Sequence, residues 1–195
     1  MTFALIIFPF IWIVILLGVY LLKGYKLKDI DFKLLTLYII FMAMLGPIGE
    51  IFVGTLYQAA FGQPLWQYTI FPTHNGYTSL YAPVIWGISG VFLYCFHEAF
   101  GVFKKKPQWV QLVSRTFETI TFEALLNVSF FVVSGALIFY YLPGDLFHIT
   151  SLQTLPLYFI LSIILMKTMK RLRKDPVFYS KFFTLILIAT VYMTN

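Results

Sequence analysis

The sequence predicts an all-α, polytopic membrane protein. It forms a single transmembrane domain over residues 1–195, with six transmembrane helices, four of them a pseudo-twofold pair of helical hairpins. Composition is the first reason. Of the 195 residues, 60% are hydrophobic, 20% aromatic and only 11% charged. A soluble domain carries about 45–50% apolar and about 25% charged residues, and a soluble fold of this length cannot hide so much apolar surface. Charge placement is the second reason. All 14 Lys and Arg residues fall in or beside alternate connections between apolar runs. The third is an echo within the chain. Shifted by 73 residues, Glu50 falls on Glu123, Gly62 on Gly135, Tyr68 on Tyr141 and Pro83 on Pro156, while Trp66 and Trp86 meet Phe139 and Phe159.

A helix needs about 20 apolar residues to cross a hydrocarbon core of about 30 Å. Six apolar runs, interrupted by charge only at Glu50, Glu98, Glu118, Glu123 and Lys181, meet or approach that length: Phe3–Leu22, Leu34–Phe61, Thr78–Val102, Phe117–Leu142, Ser151–Met166 and Phe178–Thr194. The first lacks a basic leader and a cleavage site, so it reads as a membrane anchor. The second and fourth are long, which favours tilting or kinking, with Pro47 as the kink point. Pro83 starts or bends the third. The fifth and sixth are shorter and flanked by cations.

The cations lie between spans one and two (Lys23, Lys26, Lys28, Lys33), three and four (Lys104, Lys105, Lys106, Arg115), and around the junction of five and six (from Lys167 to Lys181, the last in the first turn of span six). The connections Gly62–Tyr77 and Pro143–Thr150 carry none. By the positive-inside rule both termini stand on the non-cytoplasmic side of a plasma or inner membrane. The net charge of +6 then needs no nucleic acid partner. The 73-residue echo makes 38–101 and 111–172 candidate internal repeats, each starting and ending inside. Such a parallel repeat has its axis along the membrane normal, unlike the inverted repeats of many transporters.

Several chemistries are excluded. A lone cysteine, Cys95, rules out an internal disulfide and an all-cysteine metal site. No HExxH or HxxxH spacing occurs, so no metal is expected. No histidine pair sits in facing spans for haem, no lysine lies at depth for a Schiff base, and no GxxxxGK loop is present. No cofactor is expected.

The deepest acidic residues are Glu50 and Glu123. A carboxylate in a bilayer is costly unless it is protonated, hydrogen-bonded or functional. Positions four residues away share its helix face. That face holds Gly46, Gly54 and Gln58 around Glu50, and Thr119 and Asn127 around Glu123, with Ser134 further along. Small and polar stripes of this kind turn toward other helices. Glu50 and Glu123 are therefore candidate acids or proton carriers beside one cavity. Glu98 is expected to snorkel toward the nearby lysines. Trp66, Tyr68, Asn75, Tyr77 and Asn127 are candidate ligand-binding residues. Trp66, Tyr68 and Tyr77 belong to an aromatic group, with Tyr81, Tyr140 and Tyr141, that serves either as an interfacial belt or as a pocket lining. The uncharged, turn-rich loop Gly62–Tyr77 suits a lid.

The segment Glu50-x-x-x-Gly54, Phe61-Gly62, Trp66-x-Tyr68, Pro72, Asn75-Gly76-Tyr77, Ser79-Leu80 and Trp86-Gly87-x-x-Gly90 resembles the CmpB-like membrane family, described as ABC-transporter permeases. The resemblance covers about residues 46–97. It departs from the family at Gly49, where an aromatic residue precedes the Glu, and at Gln67, where an Asp stands. It implies a small multi-pass membrane protein of permease-like character.

Three functions stay open on the sequence. One is a permease-like protein that binds a lipophilic small molecule in an aromatic cavity with buried carboxyls. A second is a membrane-embedded enzyme that protonates an isoprenoid or polyene lipid, with aromatic faces stabilising the cation. The third is a structural subunit beside a membrane partner. Membrane lipids are expected partners in all three.

Overall fold

The computed structural model describes residues 2–101 and 105–193. The helices are α1 (Thr2–Leu22), α2 (Phe32–Phe61), α3 (Ala82–Leu93), α4 (Gln108–Ser134), α5 (Leu155–Leu172) and α6 (Pro176–Met193). A π-helical turn, Tyr94–Ala99, continues α3. Short strands lie in the uncharged connections: β1 (Trp66–Tyr68), β2 (Pro72–Thr73), β3 (Thr78–Ser79) and β4 (Phe139–Tyr141). They form two antiparallel ribbons, β1 with β4 and β2 with β3.

Among the described residues, four stretches are helical, long and apolar enough to cross a membrane: Phe3–Leu22, Phe32–Phe61, Gln108–Ser134 and Leu152–Leu172. The chain is an integral membrane protein. α6 adds a shorter apolar helix, Pro176–Thr190.

The chain divides into two compact units. The first comprises Met1–Pro47, Ala82–Lys104 and Leu172–Asn195. Here α1 packs on α3. Its buried side chains are Ala4, Phe8, Trp12, Leu16 and Tyr20, a stripe of every fourth residue on one helix face. The rest is apolar too, with Phe3, Phe10 and Val14 more than 60% exposed. An all-apolar helix that buries only one stripe suits lipid on its other side. Asp31 caps α2, its Oδ1 accepting from the Leu34 N–H at 3.1 Å. Glu98 accepts from the Tyr38 hydroxyl at 2.6 Å and forms an ion pair with Arg173.

The second unit comprises Ile48–Tyr81 and Lys105–Arg171. The unit boundary on α2 falls at Pro47, which cannot donate the backbone bond that would continue the ladder. α4 ends where Gly135 enters the left-handed region at φ 75° and its N–H bonds the Phe131 carbonyl at 2.8 Å. Before α5, the Ser151 side chain accepts from the Gln153 N–H and caps the 3-10 turn Leu152–Thr154. Lys170 and Arg171 occupy the last turn of α5, where cations favour the negative helix end.

Several expected boundaries are corrected. The fourth run was expected over Phe117–Leu142. The helix instead spans Gln108–Ser134, because Gly135 terminates it and the apolar residues beyond form β4. Arg115 therefore lies inside a helix. The third run was expected from Thr78, but Thr78 and Ser79 are strand and α3 starts at Ala82, with Pro83 in its first turn, where a missing N–H costs nothing. α5 is displaced toward the basic segment, to Leu155–Leu172 rather than Ser151–Met166. Apolar runs do not distinguish helix from half-buried strand when a turn residue interrupts them. Lys104 and the expected ends at Val102 and Thr194 lie outside the described residues.

Candidate functional site

The second unit carries a polar cluster built from two helices and the connections that follow them. Glu50 is on α2 and is buried to 9% exposure. The Tyr68 hydroxyl donates to its Oε1 at 2.5 Å, and the Thr78 hydroxyl donates to its Oε2 at 2.6 Å. Glu123 is on α4. The Tyr141 hydroxyl hydrogen-bonds its carboxyl, and Thr150 stands beside it. Glu123 Oε1 and Thr150 Oγ1 are buried and make no hydrogen bond of full geometry, although Thr150, like Tyr141, lies close enough to act on the carboxyl as a donor. Each glutamate is served by the tyrosine that lies 18 residues later in the chain.

The two halves meet in one place. Glu50 acts electrostatically on Glu123 and on Tyr141, and Glu123 acts on Tyr68. The β1–β4 ribbon explains the proximity. Its register pairs Trp66 with Tyr141, Gln67 with Tyr140 and Tyr68 with Phe139. The side chains of Tyr68 and Tyr141 alternate with those of Gln67 and Tyr140, so both tyrosines turn to one face of the ribbon. On the other face the Tyr140 hydroxyl donates to Gln67 Oε1 at 2.5 Å. The facing rings pack: Tyr68 lies 5.3 Å from Phe139, and Trp66 6.1 Å from Tyr141, between centroids. Burial first, and then the neighbouring glutamate, push both the Tyr68 and Tyr141 hydroxyls well above the ordinary tyrosine value. Both therefore keep their protons and serve as donors.

Three other sequence candidates hold the site in place. Asn127 is fully buried. Its Nδ2 donates to the Phe139 carbonyl at 2.8 Å and the Ile149 carbonyl at 3.1 Å, and its Oδ1 accepts from the Ile138 N–H at 2.9 Å. It fastens β4 and the following loop to α4. Trp66 donates from Nε1 to the Tyr77 carbonyl at 2.7 Å. Tyr77 packs on Gly54 and its hydroxyl bonds Gln58. A Cβ at Gly54 would lie 2.6 Å from the Tyr77 ring, so only glycine admits this approach.

Asn75 stands apart from these contacts. It forms the 3-10 turn His74–Gly76 in the left-handed region, at φ 58°, where Asn is tolerated better than most residues. Phe71 and His74 also have positive φ, as do Phe147 and His148 in the second connection. Bulky residues held there store backbone strain.

The threonines are not among the sequence candidates, and the sequence leaves Tyr141 in an aromatic group that is either a belt or a pocket lining. The signal for Tyr141 was present: under the shift of 73, Glu50 and Tyr68 fall on Glu123 and Tyr141 together. Thr78 and Thr150 leave no comparable trace, because their approach depends on how the two connections fold. Among the described residues, no group of three or more His, Cys, Asp or Glu side chains is placed to hold a metal ion.

Chemically, the cluster presents two acids from different helices, two protonated phenols and two threonine hydroxyls, walled by aromatic rings. Its hydroxyls bond Glu50 at 2.5 and 2.6 Å and serve Glu123 more loosely. Such a site suits exchange of a proton or a cation rather than nucleophilic chemistry. Compared with known proteins, the chain matches no protein-family profile, no curated protein and no solved structure.

Proposed function

We propose that this protein is a permease-like integral membrane protein in which the Glu50–Glu123 pair binds a lipophilic organic cation in exchange for a proton. The observation that carries the reading is the convergence of two glutamates from α2 and α4 on one buried cluster lined by phenol and threonine hydroxyls. In a low-dielectric site, losing a proton as a cation arrives keeps the local charge constant, which avoids the cost of an uncompensated buried charge. The rings of Trp66, Tyr68, Phe139 and Tyr141 add the apolar and cation–π surface that a lipophilic cation needs.

Other features support the same reading. The strand register centres on Gln67 and Tyr140, which are 73 residues apart. An antiparallel ribbon has a local twofold at such a centre, as expected if 38–101 and 111–172 are two copies of one hairpin unit. In this reading all six helices cross the membrane, and both termini stand on the non-cytoplasmic side of a plasma or inner membrane, with the Lys and Arg residues inside. The resemblance of residues 46–97 to CmpB-like permeases points the same way.

The test uses tetraphenylphosphonium as the probe. Purified protein in detergent is titrated with it in weakly buffered medium, and bound probe and released protons are both counted. The reading expects saturable binding with proton release, and both strongly weakened in Glu50→Gln and Glu123→Gln proteins that remain folded. Absence of binding, or binding unchanged in both variants, overturns it.

A further inference from the structure

The two halves of the cluster are not equivalent. Both oxygens of Glu50 accept a hydroxyl hydrogen bond, from Tyr68 at 2.5 Å and from Thr78 at 2.6 Å. These donors take the place of the water that a carboxylate loses on burial, and hydrogen bonds donated to the charged form favour it. Around Glu123 the arrangement is looser. Tyr141 and Thr150 both reach the carboxyl, but Glu123 Oε1 makes no hydrogen bond of full geometry. Thr150, only 5% exposed, also acts on the carboxyl as a donor, but its Oγ1 falls short of the geometry that Thr78 reaches on Glu50.

The difference traces to one residue of chain length. Under the shift of 73, the counterpart of Thr78 is Ser151, not Thr150. The Ser151 hydroxyl is already engaged, donating to Asp145 Oδ2 at 3.1 Å and accepting from the Gln153 N–H at 3.2 Å. Thr150 serves Glu123 in its stead, with a poorer bond than the 2.6 Å one that Thr78 makes to Glu50. The titratable groups that face Glu123 are Tyr141 from β4 and Glu50 from α2, with Tyr68 of β1 bound to Glu50.

We infer that the two carboxyls divide the work: Tyr68 and Thr78 are positioning residues that hold Glu50 as a fixed carboxylate, and Glu123 is the acid that takes up and returns the exchanged proton. In the release step the Glu123 O–H bond breaks, its electron pair stays on the carboxylate, and the proton passes to bulk water. Uptake is the reverse. No oxidant, reductant or further reactant enters. The negative charge of Glu50 is the reason Glu123 and not Glu50 holds the proton, since two adjacent carboxylates repel. The inference rests on the proposed exchange site, but it concerns proton occupancy in the protein alone.

Infrared difference spectroscopy of the purified protein over a pH series, without any probe ligand, tests it. A protonated carboxyl has a C=O band distinct from the bands of a carboxylate. The wild type is expected to show one pH-dependent buried carboxyl band. That band is lost in Glu123→Gln and retained in Glu50→Gln. Thr78→Val, which keeps the shape and removes the hydroxyl, is expected to add a second titrating carboxyl. Should Glu123→Gln fail to fold, Tyr141→Phe provides the same assignment, because removing its hydroxyl displaces the Glu123 band. A band lost in Glu50→Gln and kept in Glu123→Gln reverses the roles and overturns the inference, as does a wild type with no pH-dependent carboxyl band. Failure of tetraphenylphosphonium to bind, with the band assigned to Glu123 as stated, overturns the exchange function and leaves the division of the pair standing.

Discussion

Asn127 is where the site's architecture is easiest to break. Its amide makes three hydrogen bonds to backbone, at 2.8, 2.9 and 3.1 Å, in a fully buried position. Replacing it by Ala removes all three and orphans the Ile138 N–H. At about 1 kcal/mol net per bond in water-soluble proteins, and about 0.6 in a membrane interior, the bonds alone are worth about 2–3 kcal/mol. The orphaned donor brings the expected loss to about 2–4 kcal/mol. For a chain of this size, at about 2–4 °C per kcal/mol, that corresponds to a fall in melting temperature of roughly 4–16 °C. Asn127→Asp is the sharper variant. It keeps the size but sets an oxygen against the Phe139 and Ile149 carbonyls, so it is expected to destabilise at least as much as Ala. Melting followed by intrinsic fluorescence in detergent reads both. If either variant melts within about 1 °C of the wild type, the amide is not holding β4 to α4 and the reasoning fails.

Gly54→Ala would place a Cβ 2.6 Å from the Tyr77 ring; overpacking of this kind costs about 1–3 kcal/mol and should lower the melting temperature while Gly62→Ala, in a different environment, acts through its positive φ instead. Tyr68→Phe leaves Glu50 with the Thr78 hydroxyl but without its phenol donor, and should weaken tetraphenylphosphonium binding more than ten-fold if that bond contributes at least about 1.4 kcal/mol; an affinity within two-fold of wild type contradicts the assigned role. The raised values of Tyr68 and Tyr141 predict alkaline lability: their stabilising contribution is complete below the unfolded tyrosine value of 10.0 and is lost as pH rises through the folded values. Spectrophotometric titration should therefore show these two phenols ionising only with unfolding, and early ionisation of both in the folded protein would refute their burial. Single cysteines placed at Asn75 or Asp145 in a Cys95→Ala background should react with an impermeant reagent from outside intact cells and one at Lys105 should not; the opposite labelling reverses the orientation.

The membrane character and the approximate positions of the helices were legible in the sequence because lipid solvation requires long apolar runs, and the cations gather in alternate connections and the helix ends beside them. The two carboxyls were legible for a related reason: a glutamate amid such runs has few innocuous explanations. The ribbons were not legible. Phe139-Tyr140-Tyr141 reads as the end of an apolar helix unless Gly135 is weighted as a stop, and Trp66–Tyr68 and Phe139–Tyr141 pair across a large sequence separation. Local pattern says nothing of such pairing. The roles of Asn127 and Trp66 were obscured for a different reason. A polar or aromatic side chain suited to a ligand is equally suited to the backbone, and only the positions of Ile138, Phe139, Ile149 and Tyr77 decide between them. The one-residue offset that separates Thr150 from Thr78 is present in the sequence, yet it acquires meaning only once both hydroxyls are seen beside their glutamates.

The claim at the centre of this account is that Glu50 and Glu123 act as one site. A double-mutant cycle on tetraphenylphosphonium binding tests it most directly. Affinity is measured for the wild type, Glu50→Gln, Glu123→Gln and the double variant, each confirmed as folded by its melting transition. Residues that share a site give non-additive losses, whereas distant, independent ones add to within about 0.3–0.5 kcal/mol. The account predicts that the double variant binds no more weakly than the weaker of the two single variants. Losses that sum would mean two independent carboxyls, and would contradict it.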